Sequence, residues 1–345
     1  MAITNKIILD KKKSISEKSP TFIIAEIGSN HNQSLKKAYK LIDVAAKAGA
    51  DAVKFQFLNY DKMYLHDKIN NDKFRSFFKK LELNRSWIKK LINHSKKKKI
   101  IFFFSSCFKD GLDIALKLKI KINKIASPQF YSYPQLLDRS LKSNIPTIAS
   151  TGYSNNKEII DVISKIKKKN KKNLIVLYCV SNYPTKISDI NLDEIKFLKK
   201  KLKCIIGFSD HTMSKILPSL AVKYGAKVIE KHLTLSRKLN GPDHSFALEP
   251  KEFNEMVQYI KETEQLGQKQ KKILKKIKKK FDLKCIYNKN YKKNETLKNI
   301  IFSGLRTRKI GINIKEHKIL EKKYKLRFNR KKGELIKWKD IVKIS

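Results

Sequence analysis

Two short β-type apolar runs, at 204–210 and 227–233, end in Asp210-His211 and Glu230-Lys231-His232. A buried strand gains nothing from such ends, because these groups are costly to desolvate unless paired, hydrogen-bonded or bound to a metal. On neighbouring strands the imidazoles of His211 and His232 would converge, and two His completed by oxygens suit Mn2+ or a similar divalent ion. Two hydrogen-bonded core histidines are the plainer alternative. Lys54, Ser106, Lys124, Ser127, Ser150 and Ser209 end other apolar runs. Point positive charge with several hydroxyl donors is what a phosphate requires. Glu26 follows Ile23-Ile24-Ala25, where desolvation raises a carboxyl pKa toward neutrality and suits the group to acid–base work. Asp243, in Gly241-Pro242-Asp243-His244, falls on a loop where a carboxylate can hold sugar hydroxyls.

Residues so far apart in the chain need a scaffold that brings run ends together. Within 21–267, eight Ile-, Val- and Phe-rich runs (22–28, 52–57, 100–106, 122–127, 147–152, 174–180, 204–210 and 227–233) alternate with helix-period stretches such as 35–48, 156–169 and 190–201. Strands apolar on both faces imply a parallel sheet covered by helices. Eight β/α units over about 250 residues match a closed (β/α)8 TIM barrel, whose chemistry sits at the C-terminal ends of the strands. The polar residues named above fall at those ends or on the loops after them. A doubly wound open sheet is the weaker alternative, since no Gly-rich dinucleotide loop follows the first run.

The expected fold is therefore α/β, a TIM barrel over 21–267 followed by a small β-rich domain. Residues 1–20 read as an N-terminal extension, 268–283 as a basic linker and 284–345 as the small domain. Lys292-Lys293-Asn294-Glu295 and Lys331-Lys332-Gly333-Glu334, about forty residues apart, predict pseudo-repeated turns in that domain. So thin a core is expected to dock on something, most economically the barrel of a second subunit.

Lys and Arg number 79 against 31 acids, a net charge of +48. Runs such as Lys96-Lys97-Lys98-Lys99 raise nucleic-acid binding as a rival function. Against it, the lysines are spread over nearly every expected helix, and no zinc finger or aromatic RNP-type strand accompanies them. No nucleic-acid partner is expected, although the charge can steer an anionic substrate. No apolar run approaches the ~20 residues of a membrane span, and the first 20 residues lack the apolar core of a secretory signal. Cys107, Cys179, Cys204 and Cys285 form no CxxC pair. Reduced thiols and a cytoplasmic, membrane-free location are the expectation.

Several motifs in order resemble the sialic acid synthase family, the N-acetylneuraminate synthases with their legionaminate and pseudaminate relatives. They are Ile23-Ile24-Ala25-Glu26-Ile27-Gly28-Ser29-Asn30-His31-Asn32, Lys54-Phe55-Gln56, Lys124-Ile125-Ala126-Ser127, Ser150-Thr151-Gly152, Tyr183-Pro184-Thr185, Gly207-Phe208-Ser209-Asp210-His211, Glu230-Lys231-His232 and Gly241-Pro242-Asp243-His244. The tail looks like the family's antifreeze-like (SAF) domain. The resemblance implies a transferase that condenses phosphoenolpyruvate with the open-chain aldehyde of an N-acyl hexosamine, with C–O cleavage. N-acetylmannosamine is the first expectation for the acceptor and a diacetamido sugar the alternative; the products are a nonulosonic acid and phosphate. A divalent cofactor, Mn2+ or Mg2+, is implied on His211 and His232, with Gln56 near its water shell. Phosphoenolpyruvate would lie on Lys54, Ser106, Lys124, Ser127, Ser150 and Ser209, with Glu26 acting at C2. Tyr183, Asp243 and Gln129 would meet the sugar, Gln129 standing where the family often carries Glu. The resemblance further implies a domain-swapped homodimer in which Arg306, or alternatively Arg308, reaches the partner's sugar site.

Overall fold

The chain opens with a hairpin, β1 (Ile7–Ile8) and β2 (Ser14–Ile15). In the computed structural model the described residues are 6–10, 13–69, 71–266, 273–274, 277–278, 283–297, 305–307 and 309–344. They fall in two compact units, Met1–Gln265 and Leu266–Ser345. The hairpin belongs to the first. Ile7, Leu9 and Ile15 are buried and join the barrel core, so the stretch expected to be a mere extension is part of the domain. Lys13 Nζ reaches Asp51 Oδ1 at 3.0 Å, and the other oxygen of Asp51 accepts the Ile23 amide. The hairpin therefore plugs the end of the barrel where the strands begin.

Eight parallel strands follow: β3 (Phe22–Gly28), β4 (Ala52–Phe57), β5 (Ile101–Ser106), β6 (Asn123–Ile125), β7 (Thr147–Ser150), β8 (Leu174–Cys179), β9 (Ile205–Asp210) and β10 (Val228–His232). They close in chain order, with β10 pairing back onto β3. Both faces of nearly every strand are buried, as a sheet filled inside and covered outside requires. Helix Leu35–Ala48 shows how the cover is specified. Ser34 caps its first turn, Gly49 ends it in the left-handed conformation, and Ala38, Leu41, Ile42 and Ala45 form its buried stripe. The expected 156–169 helix is instead two, Asn156–Ser164 and Lys168–Lys171.

Register decides which residues share the barrel interior, because side chains alternate along each strand. His232 pairs with Glu26, Glu26 with Lys54, Gln56 with Ser105, and Ser105 with Lys124. Glu230 pairs with Ser209. These positions lie at the C-terminal ends and form one inward-facing ring.

The second unit has its own core, with Tyr287, Leu297, Leu320, Leu326 and Ile336 fully buried. Its short pairs are β11 (Leu283–Lys284) with β12 (Leu305–Arg306), and β13 (Tyr324–Leu326) with β14 (Ile341–Lys343). The repeated turns match atom for atom. The Glu295 carboxylate accepts the Lys292 amide and Glu334 accepts Lys331, while Lys293 donates to Asn329 and Lys332 donates to Asn290. Tyr291 and Arg330 exchange backbone bonds at the centre of this pseudo-twofold.

Candidate active site

Glu230 organises the mouth of the barrel. Lys124 Nζ lies 2.7 and 2.9 Å from its two oxygens, Lys54 Nζ 3.3 Å from Oε1, and the Ser209 hydroxyl donates to Oε1 at 2.9 Å. Lys54 also meets Glu26 Oε2 at 3.1 Å, an ion pair without hydrogen-bond geometry. All four charged groups are buried. Desolvation pushes Glu26 from an ordinary 4.5 to about 7, with Lys54 opposing and Glu230 reinforcing. Burial acts the same way on Glu230, but Lys124 and Lys54 overcome it and hold that carboxyl well below its usual range. Burial would lower Lys54, yet Glu230 and Glu26 keep it above the ordinary lysine value. Two carboxyls in one cluster are thus driven apart, one toward neutrality and one to the anion. Burial and Lys54 lower Lys124 against the pull of Glu230; when Glu26 carries its proton, Lys54 and Lys124 face one carboxylate, an arrangement suited to an entering anion.

His211 and His232 end adjacent strands with ring centroids 5.4 Å apart. His211 Nδ1 sits 3.0 Å from the Val180 carbonyl, which favours a proton on that nitrogen; burial would lower the pKa of this imidazole, but the Cys179 thiol and the Val180 carbonyl hold it above the ordinary histidine value. Burial and neighbouring cations hold His232 neutral, with its pKa well below the usual value. Its Nδ1 is 3.9 Å from Asp243 Oδ2. Burial raises the Asp243 carboxyl too, against the pull of His211 and Lys54 and a hydrogen bond from the Ser29 amide. Phe246, buried, packs 4.9 Å from the His232 ring, and Tyr183 packs 4.3 Å from His211. Gly28 keeps room between these groups: a Cβ there would stand 2.8 Å from Asp243 Oδ2, 3.3 Å from Glu26 Oε1 and 3.5 Å from Gln56 Nε2.

Buried polar atoms without hydrogen-bond partners collect here. Both Glu26 oxygens, Ser150 Oγ, Gln129 Oε1, His232 Nδ1 and Asp243 Oδ2 make no hydrogen bond. Native proteins leave few such atoms, so a cluster of them marks the place of a polar occupant. Two imidazoles beside a carboxylate fit a divalent ion that takes its remaining ligands from oxygens, the ion displacing the extra proton that His211 favours. Among the described residues no three His, Cys, Asp or Glu are grouped so as to hold a metal ion, so the two imidazoles would be the protein's share of the shell.

Of the expected phosphate ligands, Lys54, Lys124 and Ser209 converge on Glu230. Ser127 lies nearby and accepts the Gly152 amide at 3.0 Å. Ser106 requires a correction. Its hydroxyl donates to Asn123 Oδ1 at 2.6 Å, and Asn123 donates in turn to Ser140 on helix Pro134–Lys142. It therefore faces the helix layer, while Ser105 holds the inward position between Gln56 and Lys124. Gln129 lines a cavity of about 350 Å3 with Met63, Cys107, Phe108 and Tyr133. Arg306 lies in β12 of the second unit, where its backbone pairs with Leu283; Arg308 lies outside the described residues. Glu230, Ser105 and Phe246 were not among the expected ligands. Glu230 stood in a recognised motif, but only register reveals that both lysines meet it.

The comparisons with known proteins converge on one group. A profile of the NeuB family matches residues 41–272. The spore coat polysaccharide biosynthesis protein SpsE of Bacillus subtilis is 37% identical over 73% of this chain and 70% of its own. The N,N'-diacetyllegionaminic acid synthase of Campylobacter jejuni is 36% identical over 70% of this chain and 76% of its own. The crystal structure of N-acetylneuraminic acid (sialic acid) synthetase from Leptospira borgpetersenii superposes with a TM-score of 0.71 at 33% identity, covering 79% of this chain and 96% of that one.

Proposed function

Because the chain belongs to the NeuB family, we propose that it is a phosphoenolpyruvate-dependent synthase that joins the enol to the open-chain aldehyde of an N-acyl hexosamine. C3 of the enol bonds to the aldehyde carbon, whose oxygen takes up a proton. Water adds at C2 and the C2–O bond breaks, releasing phosphate and a nine-carbon 2-keto acid. The observation that carries this reading is the buried pair Lys54 and Lys124 on one carboxylate, beside two histidines and a set of unpartnered polar atoms.

Lys54, Lys124 and Ser209 would exchange part of their contact with Glu230 for the entering phosphate and carboxylate, aided by Ser127 and Ser150. Glu26, with its pKa raised to about 7 and so partly protonated near neutral pH, would hold the proton needed as charge changes at C2. A divalent ion between His211 and His232, Mn2+ or Mg2+, would polarise the aldehyde oxygen, with Gln56 near its water. Tyr183 and Asp243 would orient the sugar. A domain-swapped dimer, with Arg306 reaching the partner's sugar site, belongs to the same proposal, as does a cytoplasmic location. No helix among the described residues is long and apolar enough to cross a membrane.

N-acetylmannosamine is the acceptor named first. One observation favours a diacetamido sugar instead. Gln129 Oε1 is buried without a partner beside the cavity lined by Met63, Phe108 and Tyr133. A side-chain amide can accept from an acylamino N–H and donate to its carbonyl, and the apolar lining suits a methyl group. The test is incubation with phosphoenolpyruvate, Mn2+ and a panel of acceptors, with the product identified by mass. Phosphate release that needs all three components, with a product of summed carbon skeleton, is expected. No new product with any N-acyl hexosamine would reject the proposal.

A further inference from the structure

We infer that the buried Lys231–Asp210 ion pair is a ruler that sets the spacing of His211 and His232; this rests on the reading of those imidazoles as a metal pair. Lys231 Nζ lies 2.6 Å from Asp210 Oδ2 and 2.5 Å from the Thr212 carbonyl oxygen. The other Asp210 oxygen accepts the Thr212 amide at 2.8 Å. The residues on both sides of His211 are thus tied to one ammonium, and that ammonium belongs to the residue preceding His232. Asp210 and Lys231 are also opposite each other in register.

Alternation places this pair on the outer face of the sheet, because Ser209 and Glu230 point inward. It cannot touch substrate. Its side chains are 0% and 1% exposed, and an ion pair this dry is seldom worth more than an apolar pair of equal volume. Stability alone therefore does not account for it, whereas spacing does. Imidazoles sharing an ion must keep their donor nitrogens within about 4 Å, since each bond is roughly 2.0–2.2 Å. Groups behind metal ligands typically change affinity about 10- to 100-fold when removed. Lys231 and Asp210 act as positioning residues.

The test compares the full-length protein with the double variant Asp210→Asn/Lys231→Met, which keeps volume and strands no charge. Mn2+ binding, followed by electron paramagnetic resonance without substrate, should weaken about tenfold or more. Metal-free crystal structures should show the imidazole centroids of the double variant displaced from the 5.4 Å spacing kept by the parent protein. A folded double variant with unchanged spacing and unchanged Mn2+ affinity overturns the inference, even if its melting temperature drops. If the parent protein binds no Mn2+, the metal reading falls, and the two crystal structures alone decide the ruler. Where the double variant does not fold, Lys231→Arg supports the inference by a shifted spacing and overturns it by an unaltered one.

Discussion

Glu26 offers the sharpest measurement on a single side chain. Its folded pKa lies near 7 against an ordinary 4.5, chiefly through desolvation. The folded protein therefore keeps a proton that the unfolded chain has lost between these values. The stability this gives is fully present below about 4.5 and disappears as pH rises through about 7. The Glu26→Gln variant should flatten that part of the stability–pH curve measured by denaturant titration. It should also lower kcat by about 100-fold or more and remove an alkaline fall in kcat/KM centred near 7. An unaltered pH profile in the variant would take the proton-holding role from Glu26. Glu26, both histidines and both lysines were legible as chemistry because charge at the end of an apolar run is conspicuous. Glu230 was harder to assign, since nothing in Glu230-Lys231-His232 says which side chain turns inward. Ser106 failed for the same reason: Ser105 and Ser106 are adjacent and alike, and only pairing with Gln56 and Phe57 separates them.

Among the elements, β9 shows how tightly a barrel interior constrains sequence. A Cβ on Gly207 would stand 2.5 Å from Leu177 Cδ2 and 2.8 Å from Val228 Cβ, and would also press on the Val228 carbonyl. Overpacking of this kind costs up to about 3 kcal/mol, roughly a 5–10 °C loss in a unit of this size. Gly207→Ala should show that loss in calorimetry while Gly111→Ala in helix Lys109–Lys117, whose added Cβ meets its nearest neighbours only at 3.5–3.7 Å, loses less; equal melting temperatures for parent protein and Gly207→Ala would contradict the packing described. The eight strands were readable because each is a dense apolar run. The hairpin was missed because its strands, Ile7–Ile8 and Ser14–Ile15, are two residues each, too short to show a period. Their burial depends on an open barrel end that no local pattern announces.

The molecule as a whole carries a net charge of +48, and its proposed substrate is an anion. Long-range attraction is screened beyond roughly 10 Å at 0.1 M salt, whereas the buried lysines are shielded little. Raising KCl from 50 to 500 mM should therefore lower kcat/KM for phosphoenolpyruvate several-fold and leave kcat nearly constant. A salt-independent kcat/KM would confine the useful charge to Lys54 and Lys124. The second unit's repeated turns were visible in sequence because the same capping Glu recurs. Its other edges were not, since two-residue strands carry too few positions to show a period.

Closure of the barrel has a consequence in time. β10 completes the cylinder by pairing with β3, so a ribosome must deliver about two hundred residues after the first strand before the last one exists. Until then Lys54 and Lys124 have no Glu230, and Glu26 has no neighbour in His232. A growing chain is left with stranded cations and an open seam, and the assembly of its chemistry coincides with the moment the cylinder shuts.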